Sequence, residues 1–129
     1  MTGIHYKSKK ENTLGYRSEV VFAIEADAVP TMLAHCGKNA SLKELLFADA
    51  DKKCLGDYDS EGSYLFVWDH IKWYESSPWA IAFQMMKEDI IEKLGDECYR
   101  FVRIGEEMDD AEVEGFGFEH IYVRQEIDY

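Results

Sequence analysis

Residues 16–25 alternate between apolar and polar positions. Tyr16, Val20, Phe22 and Ile24 fall on one side, and Arg17, Glu19 and Glu25 on the other. A period of two predicts a strand. Asp27 can cap a short helix that carries Pro30 in its first turn and ends at Gly37. Ser41-Leu-Lys-Glu44 is a capping-box pattern and predicts a second short helix over residues 42–48. Residues 49–62, dense in Asp and Gly, read as a loop. The run SYLFVWDHIKWY over 63–74 is apolar on both sides apart from Asp69, His70 and Lys72, and reads as the second strand.

The clearest helix follows. Ser77 takes the capping position, Pro78 the first helical one, and Gly95 the stop. Trp79, Ala82, Phe83, Met86, Ile90 and Leu94 form its apolar stripe, which leaves Lys87, Glu88 and Glu92 facing water. Residues 99–104 and 120–127, rich in β-branched and aromatic side chains, read as the last two strands. The order β-α-α-β-α-β-β fits a two-layer α+β domain, with a four-stranded, largely antiparallel sheet and helices on one face. A chain of 129 residues with 47% hydrophobic content suits one domain with a sizeable core rather than disorder. Residues 1–14 read as a loose polar arm.

This architecture assigns faces. Val102, Ile104, Ile121, Val123 and Ile127 are expected beneath the helices. The alternate sets are Tyr99, Phe101 and Arg103; His120, Tyr122 and Arg124; and Tyr64, Phe66, Trp68 and His70. On an uncovered face they would form an aromatic surface edged by Arg and His, the residue types enriched in binding hot spots. Such a surface suits a protein partner or a second copy in a homodimer, unless the arm or the acidic connection folds over it. A stacking platform for RNA is a further use of such a face. The segment YRFVRIG lacks the signature of those modules, and the charge opposes it.

That charge is −12 and unevenly spread. The connection at 105–119, GEEMDDAEVEGFGFE, holds seven carboxylates and no Lys or Arg. Residues 105–129 hold nine carboxylates against one Arg, so they carry −8 of the total. Net negative charge repels phosphate, so direct nucleic-acid binding is not expected. The connection has three readings: a solvated loop, a docking surface for a basic protein built from Glu106, Glu107, Asp109, Asp110, Glu112 and Glu114, or a divalent-cation site at Glu106, Asp109 and Asp110. Phe116 and Phe118, set between glycines, are placed to anchor it to the core or to a partner.

Motifs for chemistry are sparse. Asp57-Tyr-Asp59-Ser-Glu61-Gly62 opens like a calcium loop, but the twelfth position, which needs a bidentate Glu, is Trp68. His35 and Cys36 are adjacent, and no His or Cys pair has ligand spacing. There is no nucleophile elbow, P-loop or dinucleotide fingerprint. Cys98 follows Asp96 and Glu97, which would raise its thiol pKa. Asp69, alone on an apolar side, calls for a basic partner or hydrogen bonds. No catalytic residue, metal or cofactor is therefore expected. The alternative is a small calcium- or magnesium-dependent domain or enzyme using Asp57, Asp59 and Asp69. Three widely spaced cysteines, no basic-then-apolar leader and no bilayer-length apolar run lead to the expectation of a reduced, cytoplasmic protein without membrane contact.

Three blocks, WDHIKWY (68–74), FVRIGEEMDD (101–110) and IYVRQEI (121–127), resemble blocks of small acidic accessory proteins of tailed phages and prophages. The resemblance covers roughly the second half of the chain and carries over no catalytic residues. It implies a phage-type protein in the host-cell cytoplasm that binds and blocks a host factor, defence systems included. Together with the charge, it gives the expectation of a non-enzymatic binding or inhibitor protein. That protein would dock a basic partner through the acidic connection and the sheet face of Phe66, Trp68, Phe101, Arg103, Tyr122 and Arg124. Immunity proteins that neutralise basic nucleases are neighbours in this class.

Overall fold

Five antiparallel strands and three helices make up the computed structural model, which describes residues 15–107, 109–124 and 127–129. The arm expected over 1–14 lies outside the described residues. The strands are β1 (Ser18–Ile24), β2 (Lys52–Leu55), β3 (Tyr64–Ile71), β4 (Tyr99–Gly105) and β5 (Ala111–Glu114), in the sheet order β2-β3-β1-β4-β5. The helices are α1 (Val29–Lys38), α2 (Ala40–Glu44), which runs on into a π-helical turn at Leu45–Asp49, and α3 (Pro78–Leu94).

The α+β class is as expected. The strand count and order are not: the chain runs β-α-α-β-β-α-β-β. β2 lies within the expected loop 49–62, and β5 lies within the acidic connection. Among the described residues of the segment 120–127, expected as the fourth strand, none lies in a strand of the sheet, and Tyr122 forms an isolated bridge with Asp128. Both missed strands are four-residue edges: β2 (KKCL) shows no alternation, and the alternation of β5 (AEVE) is short and sits inside an acidic run. Charged residues on an edge are a common protection against unwanted pairing.

The assignment of faces is also corrected. Phe22, Phe66, Trp68 and Phe101 lie beneath the helices, against Met32, Leu42, Phe83 and Met86. Val21, Ala23, Leu65, Val67 and Val102 occupy the other face, beneath Ile121 and Ile127 of the C-terminal segment. A helix layer stands well off the sheet, and large aromatic side chains fill that depth at native packing density. The other face meets a smaller, mostly aliphatic set, with Tyr58 and Phe118 packed at its margin. Central β1 is covered on both faces and pairs with β3 and β4.

Local signals set the helix ends. Pro78 opens α3 and Gly95 stops it as expected, the Gly95 N–H donating to Ile91 O at 2.8 Å, while Ser77 holds the cap position without a side-chain capping hydrogen bond. Leu94 is exposed rather than in the stripe. α1 runs through Gly37 because Asn39, in extended conformation, both ends α1 and caps α2. Its side chain accepts a hydrogen bond from Leu42 N at 3.0 Å, two residues before the cap expected at Ser41.

Two glycines let the chain fold back after β5. Phe116 N–H donates to Asp96 O at 2.7 Å and Gly117 N–H donates to Tyr99 O at 3.0 Å. Gly115 has φ +86°, and a Cβ there would overlap the Tyr99 carbonyl; a Cβ on Gly117 would sit 2.7 Å from Glu97 O. Gly115→Ala is expected to cost about 2 kcal/mol, through left-handed strain plus the clash. A lowered urea midpoint at unchanged slope would show it.

Candidate functional site

The acidic end is built by cross-strand pairing. Antiparallel register sets Arg103 of β4 opposite Glu112 of β5, and Phe101 opposite Glu114, all on the helix side of the sheet. Arg103 is 1% exposed. Its Nε donates to Glu112, its Nη2 to Asp110 Oδ1 at 2.5 Å, and its Nη1 to Asp110 Oδ2 at 3.2 Å and Ser18 Oγ at 3.1 Å. This planar fork serves two carboxylates at once, a task suited to Arg. Burial works to lower the Arg103 pKa, but the hydrogen bonds to Asp110 and Glu112 outweigh it and hold the pKa above its ordinary value.

The turn that follows is clamped from the other side. Tyr16 Oη donates to Asp110 Oδ2 at 2.6 Å and accepts from Glu107 N at 3.1 Å. Burial first, and then the hydrogen bond to Asp110, push the Tyr16 hydroxyl pKa up. Arg17 N donates to Glu106 Oε2 at 2.5 Å, and Gly105 N donates to Asp110 O at 2.7 Å. The acidic connection is therefore built structure around a buried guanidinium, with Glu106, Glu107 and Asp109 exposed on its turn.

Lys87 is the residue that sequence reasoning misplaced. It was expected to face water, yet it is 2% exposed. Its Nζ donates to Glu114 Oε1 at 2.6 Å and lies 4.0 Å from the Phe101 ring centroid. Burial lowers its pKa, and Glu114 opposes that without cancelling it. The signal was present: position 87 falls four after Phe83 and three before Ile90, inside the stripe. Beside this pair is a cavity of about 280 Å³ between α3 and β5. Trp73, Phe101 and Lys87 line its inner wall, Ile81 and Met85 its helix side, and Glu114 its strand side.

The remaining expected site residues separate. Phe66 and Trp68 are core, and Trp68 Nε1 donates to Leu45 O at 3.1 Å. Phe101 and Arg103 are also buried. The exposed aromatic–Arg sheet face is thus corrected to a buried layer, because the helices cover it. Tyr122 and Arg124 are exposed on the C-terminal segment, where Tyr122 Oη donates to Asp128 Oδ2 at 3.1 Å and Arg124 Nη1 donates to Tyr122 Oη at 3.4 Å. Phe118 anchors that segment against Tyr58 at 5.7 Å, while Phe116 is 60% exposed.

Asp57 and Asp59 occupy the β2–β3 turn, where Asp57 accepts from Cys54 Sγ at 3.1 Å. Asp69 lies toward the other end of β3, five residues past Tyr64, or about 17 Å of strand. These three carboxylates do not converge. Asp69 N donates to Asp51 Oδ2 at 2.7 Å. Among the described residues no group of three His, Cys, Asp or Glu is arranged for a metal ion. Burial, ahead of Glu25, raises the Cys98 thiol pKa. Among the described residues no helix is long and apolar enough to cross a membrane.

The chain matches no protein-family model, no curated protein and no solved structure at a significant level.

Proposed function

We propose that this is a non-enzymatic binding protein of inhibitor type that docks a basic partner protein on its acidic end. The observation that carries the reading is the Arg103 clamp. By holding Asp110 and Glu112 it fixes the turn on which Glu106, Glu107 and Asp109 are exposed. Six carboxylates in residues 105–114 against the two buried cations Arg103 and Lys87 leave a net charge of −4 at this end, carried outward by Glu106, Glu107 and Asp109 and ordered before any partner arrives. Preordered charge avoids part of the entropy cost of binding and speeds encounter with a positive surface. The resemblance of three blocks to phage accessory proteins supports a host factor in the host cytoplasm as that partner.

The test uses a partner captured on immobilised protein from host lysate. Glu107→Lys combined with Asp109→Lys is expected to slow its association on the order of tenfold at low salt and to flatten the salt dependence. An unchanged association rate with unchanged salt dependence would sink the docking role of this end.

A further inference from the structure

β5 is the last strand of the sheet, and among the described residues no strand pairs with its outer side. Its hydrogen-bonding parity is set by the Gly105 N–H to Asp110 O bond, since antiparallel pairs exchange bonds at every second residue. Glu112 and Glu114 therefore turn their backbone groups inward to β4, and Val113 turns its N–H and C=O to the open side. The side chains follow the same alternation. Glu112 and Glu114 project toward α3 and line the 280 Å³ cavity. Val113, 49% exposed, projects to the opposite face.

We propose that the open edge of β5 and the cavity between α3 and β5 together receive an extended basic segment of the partner as a sixth strand. This rests on the docking function proposed above and specifies its geometry. Strand addition draws affinity from main-chain hydrogen bonds and specificity from pockets for alternate side chains. Here alternate side chains of the incoming segment lie beside Glu112 and Glu114, over a wall of Trp73 and Phe101 rimmed by Ile81 and Met85. Glu112 and Glu114 serve Arg103 and Lys87 but remain 40% and 35% exposed, and with Glu75 they leave the lining net negative despite Lys87. Those positions favour cationic side chains with apolar stems, and Arg has both that stem and a face that stacks on aromatic rings. The intervening side chains lie beside Val113 and select apolar residues. Charge complementarity also decides against a second copy of this chain. Two β5 edges pairing antiparallel would set Glu112 and Glu114 of one against the same residues of the other, and like charges across a ladder are destabilising.

The probe is a short, end-blocked peptide alternating Arg and Val, compared with the same peptide N-methylated on the backbone amides of one side. Binding is read by fluorescence anisotropy, and the Val113 amide by hydrogen exchange. The plain peptide is expected to bind, to protect the Val113 N–H and to lose about tenfold in affinity on N-methylation. Val113→Pro, which removes an outward donor at an edge position that tolerates proline, is expected to cause a similar loss. If that variant does not fold, the N-methylated peptide on the unaltered protein decides alone. Equal affinity for both peptides with Val113 unprotected overturns strand addition. The docking function still stands in that case if Glu107→Lys with Asp109→Lys weakens capture of the partner. Self-association that Val113→Pro abolishes overturns the choice of occupant. Absence of binding by either peptide overturns the sixth strand as well.

Discussion

Replacing Arg103 by Met is expected to lower stability by about 3 kcal/mol. Met replaces most of the apolar stem, so an empty volume contributes little to this loss. The larger part is the removal of the cation shared by Asp110 and Glu112. Their side chains are 26% and 40% exposed, so each regains some hydration when the guanidinium goes. That places the cost at the low end of the range for breaking a buried pair. Arg103→Lys is expected to recover only part of the loss, because one ammonium cannot reproduce a planar fork across two carboxylates and Ser18. Asp110→Asn is expected to cost more than Glu112→Gln, since Asp110 accepts from both Arg103 and Tyr16. The triple replacement of Arg103 by Met, Asp110 by Asn and Glu112 by Gln is expected to regain most of the stability, because neither a buried cation nor an orphaned carboxylate remains. Urea midpoints measure the series, and faster amide exchange over 105–110 would show the turn released. An Arg103→Met midpoint equal to that of the unaltered protein would contradict the clamp.

The same clamp shows which parts of the fold were legible in the chain. Ser77, Pro78 and Gly95 bound α3 because capping and stop signals act within a few residues. β1 was visible as a period-two alternation, β3 as an apolar run and β4 as a stretch of β-branched and aromatic residues. β2 and β5 were hidden because edge strands carry charge where central strands carry apolar residues. Period-two alternation correctly divided Phe101 and Arg103 from Val102, yet it cannot say which set meets the helices. Volume decides that, through Phe22, Phe66 and Phe83 filling the deeper layer. Arg103 was placed on the same side as Phe101, but its partners Asp110 and Glu112 become neighbours only when the 105–110 turn closes. Lys87 was assigned by charge rather than by position, and its partner Glu114 lies 27 residues away on β5. The acidic connection was legible as a field and not as a structure.

The Lys87–Glu114 pair yields the second large effect, and its two halves are expected to move in opposite directions. Glu114→Gln removes the hydrogen-bonded carboxylate of a buried ammonium, leaving only the weaker charge interactions with Glu112 and Glu88, and is expected to cost about 3 kcal/mol. Lys87→Met removes the ammonium, keeps the stem, and is expected to gain about 1 kcal/mol at neutral pH. With Met already at 87, Glu114→Gln is expected to cost little, because Glu114 is partly exposed and has no buried cation left to serve. The direction follows from competition between dehydration of Lys87 and its contacts. The ion pair and the Phe101 ring at 4.0 Å favour the charged form, while burial disfavours it and prevails, since the pKa lies below the ordinary 10.5. Between the lowered folded pKa and the unfolded value near 10.5, the unfolded chain binds more protons than the folded one. Stability contributed by this residue therefore rises with pH across that window. Below the folded pKa the full cost of burying the charge is present, and above 10.5 it has gone. Urea midpoints of the unaltered protein and of Lys87→Met are thus expected to converge as pH climbs toward 10.5. A loss of stability in Lys87→Met at neutral pH would mean that the ring and the carboxylate outweigh dehydration of the ammonium.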